Sequence, residues 1–143
     1  MTLHIFKETA VRLPRKKIYA LFNMIARKEA PNQEGQINLV MTTDRDILGL
    51  NERFRQKAHA TDVLSFNIDS DGGEDNIFGE IYISVETARR QAEEYDDSLS
   101  GELLRLTCHG MLHLLGYDHE DPDEARRMRR REEEYLARVR RVS

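Results

Sequence analysis

Residues 109–119 read His109-Gly110-Met111-Leu112-His113-Leu114-Leu115-Gly116-Tyr117-Asp118-His119. His109 and His113 are four positions apart, so on a helix turning about 100° per residue they project from one face, a turn apart. Gly116 follows His113 by three residues, where a glycine takes the left-handed conformation that ends a helix and reverses the chain. His119 lies six residues beyond His113, close enough for the reversed chain to bring it back. The pattern predicts a three-imidazole metal face, His109, His113 and His119. Its fourth position is left to water, as in catalytic rather than structural zinc sites.

A single histidine on an apolar helix face is ordinarily a hydrogen-bonded core residue. Three at this spacing around a helix-ending glycine read as ligands, and only His4 and His59 lie outside the cluster. Neutral imidazole suits zinc, copper, iron and nickel. With no thiolate in the set, one Zn2+ per chain is the expected cofactor, with another divalent transition metal as the alternative. The same spacing occurs in the metzincin peptidases, with one difference. There the residue after the first histidine is the glutamate that acts as general base. Here it is Gly110. Metal-assisted hydrolysis of another bond ranks above peptide hydrolysis.

Working outward, residues 3–10 read as a first strand. Pro14 opens a helix with Ile18, Leu21, Phe22 and Ile25 on one face, ending near Pro31. Gln36 to Thr43 alternates Ile37, Leu39 and Met41 against polar neighbours, a strand pattern. Thr43 or Asp44 caps a helix carrying Ile47, Leu48, Leu50 and Phe54. Residues 62–68 and 77–84 are two more strands, joined by an acidic turn over 69–75. Counted as a calcium loop that turn fails, because Gly73 and Glu74 stand where an Asp or Asn and then a Gly are needed. Ser84 caps a helix to about Tyr95, and Ser98 caps the long apolar helix of the histidines. Ala125, Met128, Tyr135, Leu136 and Val139 mark a closing amphipathic helix. The expected fold is α+β (α/β-like). A small mixed sheet of three or four strands packs with about five helices, and the metal site lies on one helix and the following turn.

The 143 residues fit one domain, 1–143, with 39% apolar and 34% charged content. No run approaches the roughly 20 apolar residues of a membrane span, and the first residues lack a signal-peptide pattern. A lone cysteine, Cys108, excludes an internal disulfide framework and fits a reducing cytosol. It is turned about 100° from His109 on the helix, toward the line of Leu104 and Leu112, and reads as a small core residue. The net charge of −4 argues against coating nucleic acid by charge alone. Yet Arg126, Arg127, Arg129, Arg130 and Arg131 are packed into six residues, with Arg138, Arg140 and Arg141 near the end. They read either as a solvated face with Arg129–Glu133 and Arg130–Glu134 pairs or as an RNA- or ribosome-facing patch.

The motif H-G-x-L-H-L-x-G-Y-D-H at 109–119 resembles the signature of the bacterial YbeY family, metal-dependent single-strand endoribonucleases of ribosomal RNA maturation. Leu50-Asn51-Glu52-Arg53-Phe54-Arg55 with Thr61-Asp62-Val63-Leu64-Ser65-Phe66 is similar to the family's L-N-x-x-[YF]-R…T-D-V-L-S-F block, and Gly79-Glu80-Ile81-Tyr82-Ile83-Ser84 to its G-[DE]-I-x-I-S strand. The likeness spans about residues 36–135. It departs in two places: Lys57-Ala58-His59-Ala60 replaces the usual K-D-x-P, and Asn67 stands where proline is usual after Phe66. The resemblance implies a mixed sheet with a metal cleft at one edge. It also implies a single-stranded RNA substrate, at the 16S 3′ end and in ribosome quality control, in the cytoplasm.

Three neutral imidazoles leave the divalent charge on a metal, which lowers the pKa of bound water toward about 7. Phosphodiester hydrolysis also needs a cation for the charge gained in the transition state. Arg55 is the candidate, because a guanidinium grips phosphate oxygens bidentately and its position matches the family's functional arginine. Asp118 reads as a group that orients an imidazole or stabilises the turn. Glu80 and Asp62 are candidates for proton transfer if their strands turn them to the cleft. Tyr117 reads as a substrate contact or as packing. Two other functions stay open: a ribosome-assembly factor docking on the small subunit or its proteins with a mainly structural zinc, and a metallopeptidase.

Overall fold

The structure, a computed structural model, describes residues 1–54, 62–68 and 76–142. Its elements are β1 (Thr2–Lys7), α1 (Arg15–Glu29), β2 (Gln36–Thr42), α2 (Asp44–Phe54), β3 (Val63–Asn67), β4 (Ile77–Ser84), α3 (Val85–Glu94), α4 (Leu99–Leu114) and α5 (Pro122–Val139). The four strands form one mixed sheet in the order β1-β2-β4-β3. β1, β2 and β4 run parallel, and β3 pairs antiparallel with β4. The α+β arrangement expected from the sequence is the one observed.

Helix starts follow local chemistry. Thr43 Oγ1 accepts from the Asp46 amide at 3.2 Å, so Thr43 rather than Asp44 caps α2. Ser84 Oγ accepts from Thr87 N at 3.2 Å and Ser98 Oγ from Gly101 N at 3.0 Å. Asp121 accepts from the amides of Asp123 and Glu124, with Pro122 at the first helical position, so α5 begins before its apolar pattern does. Asp44 ties α2 to α3, accepting from the hydroxyls of Ser84 and Thr87 and from Arg90. Burial alone would push this carboxyl up, but those three donors outweigh it and hold its pKa below the usual range. β1 stops at Lys7, opposite Met41, rather than running to residue 10. β2 ends at Thr42, so the chain beyond residue 8 has no ladder to continue.

α4 is the central helix. Leu103, Leu104, Leu106, Cys108, Met111, Leu112 and Leu114 are all buried, as befits a helix apolar on nearly every side. The Cys108 thiol is pushed up in pKa by burial and by nearby Glu132, which makes it an inert core group. Beyond the first turn, only Arg105, His109 and His113, one turn apart in a line, are left partly open. α4 comes very close to the sheet. A Cβ at Gly110 would lie 2.7 Å from Ile81 and 3.1 Å from Ser65 Oγ, and one at Gly79 would lie 2.8 Å from Leu114. Ser65 Oγ donates to the Gly110 carbonyl at 3.3 Å, and Asn67 Nδ2 to the Leu114 carbonyl at 3.1 Å. The helix carrying the histidines is thus pinned to the β3–β4 edge. Among the described residues, no helix is long and apolar enough to cross a membrane.

Candidate metal and phosphate site

α4 ends as its sequence predicts. Gly116 has φ +102°, Tyr117 N donates to the Leu112 carbonyl at 3.0 Å, and Gly116 N donates to the His113 carbonyl at 3.1 Å. This pair of bonds is the Schellman closure, and it turns the chain back over the last helical turn. The Tyr117 carbonyl consequently arrives 2.8 Å from Nδ1 of His113. A carbonyl only accepts, so His113 carries its proton on Nδ1 and its Nε2 keeps a free lone pair.

His109 is fixed in the same way from another direction. Its Nδ1 lies 2.6 Å from Oε1 of Glu132 on α5. A carboxylate on Nδ1 again leaves Nε2 as the free donor atom and fixes the orientation of the ring. His119 returns after the turn, and the three rings form a near-equilateral triangle. Centroid separations are 5.8 Å for His109–His113, 5.6 Å for His109–His119 and 5.4 Å for His113–His119.

The tightest group of donor atoms among the described residues is His113, Asp118 and His119, all within 4.8 Å of one another. Asp118 also accepts from the His119 amide at 2.7 Å and lies 3.9 Å from its Nδ1. The carboxylate therefore stabilises the turn and stands beside the donors. Two imidazoles and a carboxylate, with a third imidazole at the next corner, form a nitrogen- and oxygen-rich donor set suited to a divalent transition metal. The set opens on a cleft of about 490 Å³ lined by Ser65, Asn67, His113, Leu114, Asp118, His119 and Glu120.

Other expected site residues lie elsewhere. Glu80 faces the side of the sheet opposite α4, since its neighbours Gly79 and Ile81 meet α4. It accepts from Asn38 Nδ2 at 2.9 Å and from Tyr82 Oη at 3.0 Å. Burial and that carboxylate push the Tyr82 phenol up to about 12. Asp62 meets Gln91 at 3.3 Å and Arg105 at 3.8 Å, beside the first half of α4. Among the described residues, neither carboxylate belongs to the donor group around His113 and His119. Arg55 and the acidic turn over 69–75 lie outside the described residues.

Two residues escaped the sequence reading. Glu132 falls on the buried line Met128, Glu132, Tyr135, Val139 of α5, so a carboxylate in an apolar stripe was its available signal. Glu29, at the end of α1, accepts from Tyr117 Oη at 2.7 Å and from Tyr135 Oη. Burial pushes Glu29 up, but these two hydroxyls, with Arg131 and Lys28, outweigh it and hold the carboxyl below its ordinary value. Tyr117 is thereby packed and anchored, and its pKa is raised by burial and by Glu29.

A model of the endoribonuclease YbeY family matches residues 5–140. The chain belongs to that family. A YbeY endoribonuclease of Pelotomaculum thermopropionicum is 42% identical over 120 residues, covering 80% of this chain and 79% of its own. One from Bacillus licheniformis is 38% identical over 150 residues, covering 96% and 94%. One from an Anaeromyxobacter species is 42% identical over 131 residues, and the chain spans 65% of its length, just under two thirds. Among solved structures, TM1509 from Thermotoga maritima, determined in solution, superposes with a TM-score of 0.66 at 28% identity, covering 96% of this chain and 88% of that one. In this YbeY chain Asn67 uses its side chain to hold the last carbonyl of α4.

Proposed function

We propose that this protein is a metal-dependent endoribonuclease that cleaves single-stranded RNA, with His109, His113 and His119 as ligands of one Zn2+. The observation that carries the reading is the pre-set tautomer of two imidazoles. A carbonyl at His113 Nδ1 and a carboxylate at His109 Nδ1 leave both Nε2 lone pairs free beside His119. Such orientation is wasted on a core histidine and is what a metal ligand requires. When bound, the divalent ion would supply Lewis-acid polarisation of a phosphoryl oxygen and a water acidic enough to ionise near neutrality.

The protein's own residues do the rest. Glu132 and the Tyr117 carbonyl hold two imidazoles in one orientation. Asp118 fixes the turn that presents His119. Asn67 and Ser65 line the cleft floor and pin α4 to the sheet. Arg55 is assigned the phosphate, gripping its oxygens through two parallel hydrogen bonds. Its match to the family's arginine supports that role. Membership of the endoribonuclease YbeY family supports RNA as substrate, and with it ribosomal RNA at the 16S 3′ end, ribosome quality control and a cytoplasmic setting.

The assembly-factor reading keeps the zinc but asks it only to hold the fold. The open cleft beside the donors favours a catalytic site. Peptidase activity is opposed by Gly110, because a Cβ there would lie 2.7 Å from Ile81 and 3.1 Å from Ser65 Oγ, and a glutamate has no room. The deciding experiment is elemental mass spectrometry with single-stranded RNA cleavage for wild type, His113→Ala and Arg55→Ala. About one zinc per chain, lost in His113→Ala, with cleavage lost in both variants, supports the enzyme. Stoichiometric zinc without cleavage in any protein moves the reading to the assembly factor.

A further inference from the structure

The arginines of α5 are not spread evenly around the helix. Arg127, Arg131, Glu134 and Arg138 recur at i, i+4, i+7 and i+11, a single line flanking the buried line of Met128, Glu132, Tyr135 and Val139. Arg131 reaches Glu134 at 3.1 Å, and Lys28 of α1 reaches the same carboxylate at 3.8 Å, which brings a further cation onto this flank. Among the described residues neither Arg129–Glu133 nor Arg130–Glu134 pairs, and Glu134 is taken instead by Arg131 and Lys28.

Arg127 stands at the N-terminal end of this line, eight residues beyond His119. It is exposed and meets no carboxylate among the described residues. Its guanidinium carbon lies 5.9 Å from the centroid of the Tyr117 ring. Tyr117 is the residue whose carbonyl holds His113. A guanidinium resting on an aromatic face keeps its charge and its N–H edges free for phosphate oxygens.

We propose that this flank of α5 is a track for the phosphodiester backbone of single-stranded RNA leaving the imidazole cleft, with Arg127 on Tyr117 as its first positioning residue. The track runs on through Arg131 and Lys28 to Arg138. At about 1.5 Å per residue, Arg127 and Arg138 are roughly 16 Å apart along the helix, which suits a strand rather than a lone phosphate. The proposal rests on the ribonuclease reading and adds to it the direction in which the substrate lies.

The test is fluorescence anisotropy of a labelled single-stranded oligoribonucleotide with the full chain, in chelator so that nothing is cut, over a range of salt. Arg127→Ala should weaken binding about fivefold and lower the salt slope by roughly 0.7, the value for one phosphate contact on a single strand. Arg127→Glu should weaken it further, and Arg127→Lys should restore part of the loss. Arg89→Ala, which removes an exposed arginine from α3, should match wild type. In the metal-loaded protein the Arg127→Ala defect should fall on KM rather than on kcat. Wild-type affinity and salt slope in Arg127→Glu overturn the track, whether or not RNA is cleaved, and so does an Arg127 effect confined to acidic polypeptides. RNA binding that depends on Arg127 in a protein that never cleaves overturns the ribonuclease reading and leaves the track standing.

Discussion

Oε1 of Glu132 on α5 lies 2.6 Å from Nδ1 of His109 on α4, joining two residues 23 positions apart. Both side chains are mostly shielded, at 24% and 15% exposure, so this contact orients the imidazole rather than decorating a surface. Glu132→Gln keeps an acceptor of the same shape but removes the charge. Zinc affinity, read by competition with a chromophoric chelator, should fall about tenfold, and Glu132→Ala should lose up to about a hundredfold. Unchanged affinity in both would mean that His109 is not a ligand.

The donor set offers a choice between His109 and Asp118 for the third position. The ring triangle includes His109, whereas the tightest donor group includes Asp118. The Asp118 carboxylate already accepts from the His119 amide, while the His109 Nε2 is free. His109→Ala should therefore abolish stoichiometric zinc, and Asp118→Asn should reduce its retention only a fewfold. Elemental analysis after gel filtration reads both, and the reverse order would exchange the two assignments.

Most elements were legible because their signals are local. Thr43, Ser84 and Ser98 cap helices as short polar side chains do, and Gly116 ends α4 through the backbone freedom it alone has. What the sequence hid is long-range. Whether Glu80 faces the cleft depends on strand register, and the register points Gly79 and Ile81, not Glu80, at α4. Glu29 and Glu132 act across α1, α4 and α5, and nothing in their own neighbourhoods names a partner 88 or 23 residues away. Gly110 was noticed for the glutamate it is not. Its positive reason, contact with Ile81, needs the packed sheet.

Gly110→Ala should test that packing. The added methyl meets Ile81 Cγ2 at 2.7 Å in a fully buried site, so the helix or the strand must shift. Overpacking of this kind costs about 1–3 kcal/mol. Urea unfolding should show a lower midpoint with an unchanged m-value. A variant as stable as wild type would show that α4 can move off the sheet freely.

Gly116→Ala couples stability to metal. At φ +102° an L side chain is strained, and relieving the strain breaks the two closing bonds of α4. A cost of about 1–3 kcal/mol is expected. The Tyr117 carbonyl would also leave Nδ1 of His113, so zinc affinity should fall along with stability. Gly49→Ala, inside α2 with no atom within 4 Å of the added methyl, should leave zinc affinity unchanged and raise stability by about 0.5–1 kcal/mol.

Glu29 gives the acid limb of stability a named contributor. Its folded pKa lies below the ordinary 4.5, because the Tyr135 and Tyr117 hydroxyls, Arg131 and Lys28 together outweigh the opposing effect of burial. A depressed carboxyl binds fewer protons folded than unfolded, so its stabilisation is fully present above about 4.5 and disappears as pH falls through the lower, folded value. Glu29→Gln should therefore be less stable than wild type at pH 7. The gap should close as the pH is lowered below about 4.5. Urea midpoints measured from pH 7 down to pH 3 would read the difference directly. A gap that stays constant across that range would mean that the stabilisation comes from the shape of the Glu29–Tyr117–Tyr135 cluster and not from its charge.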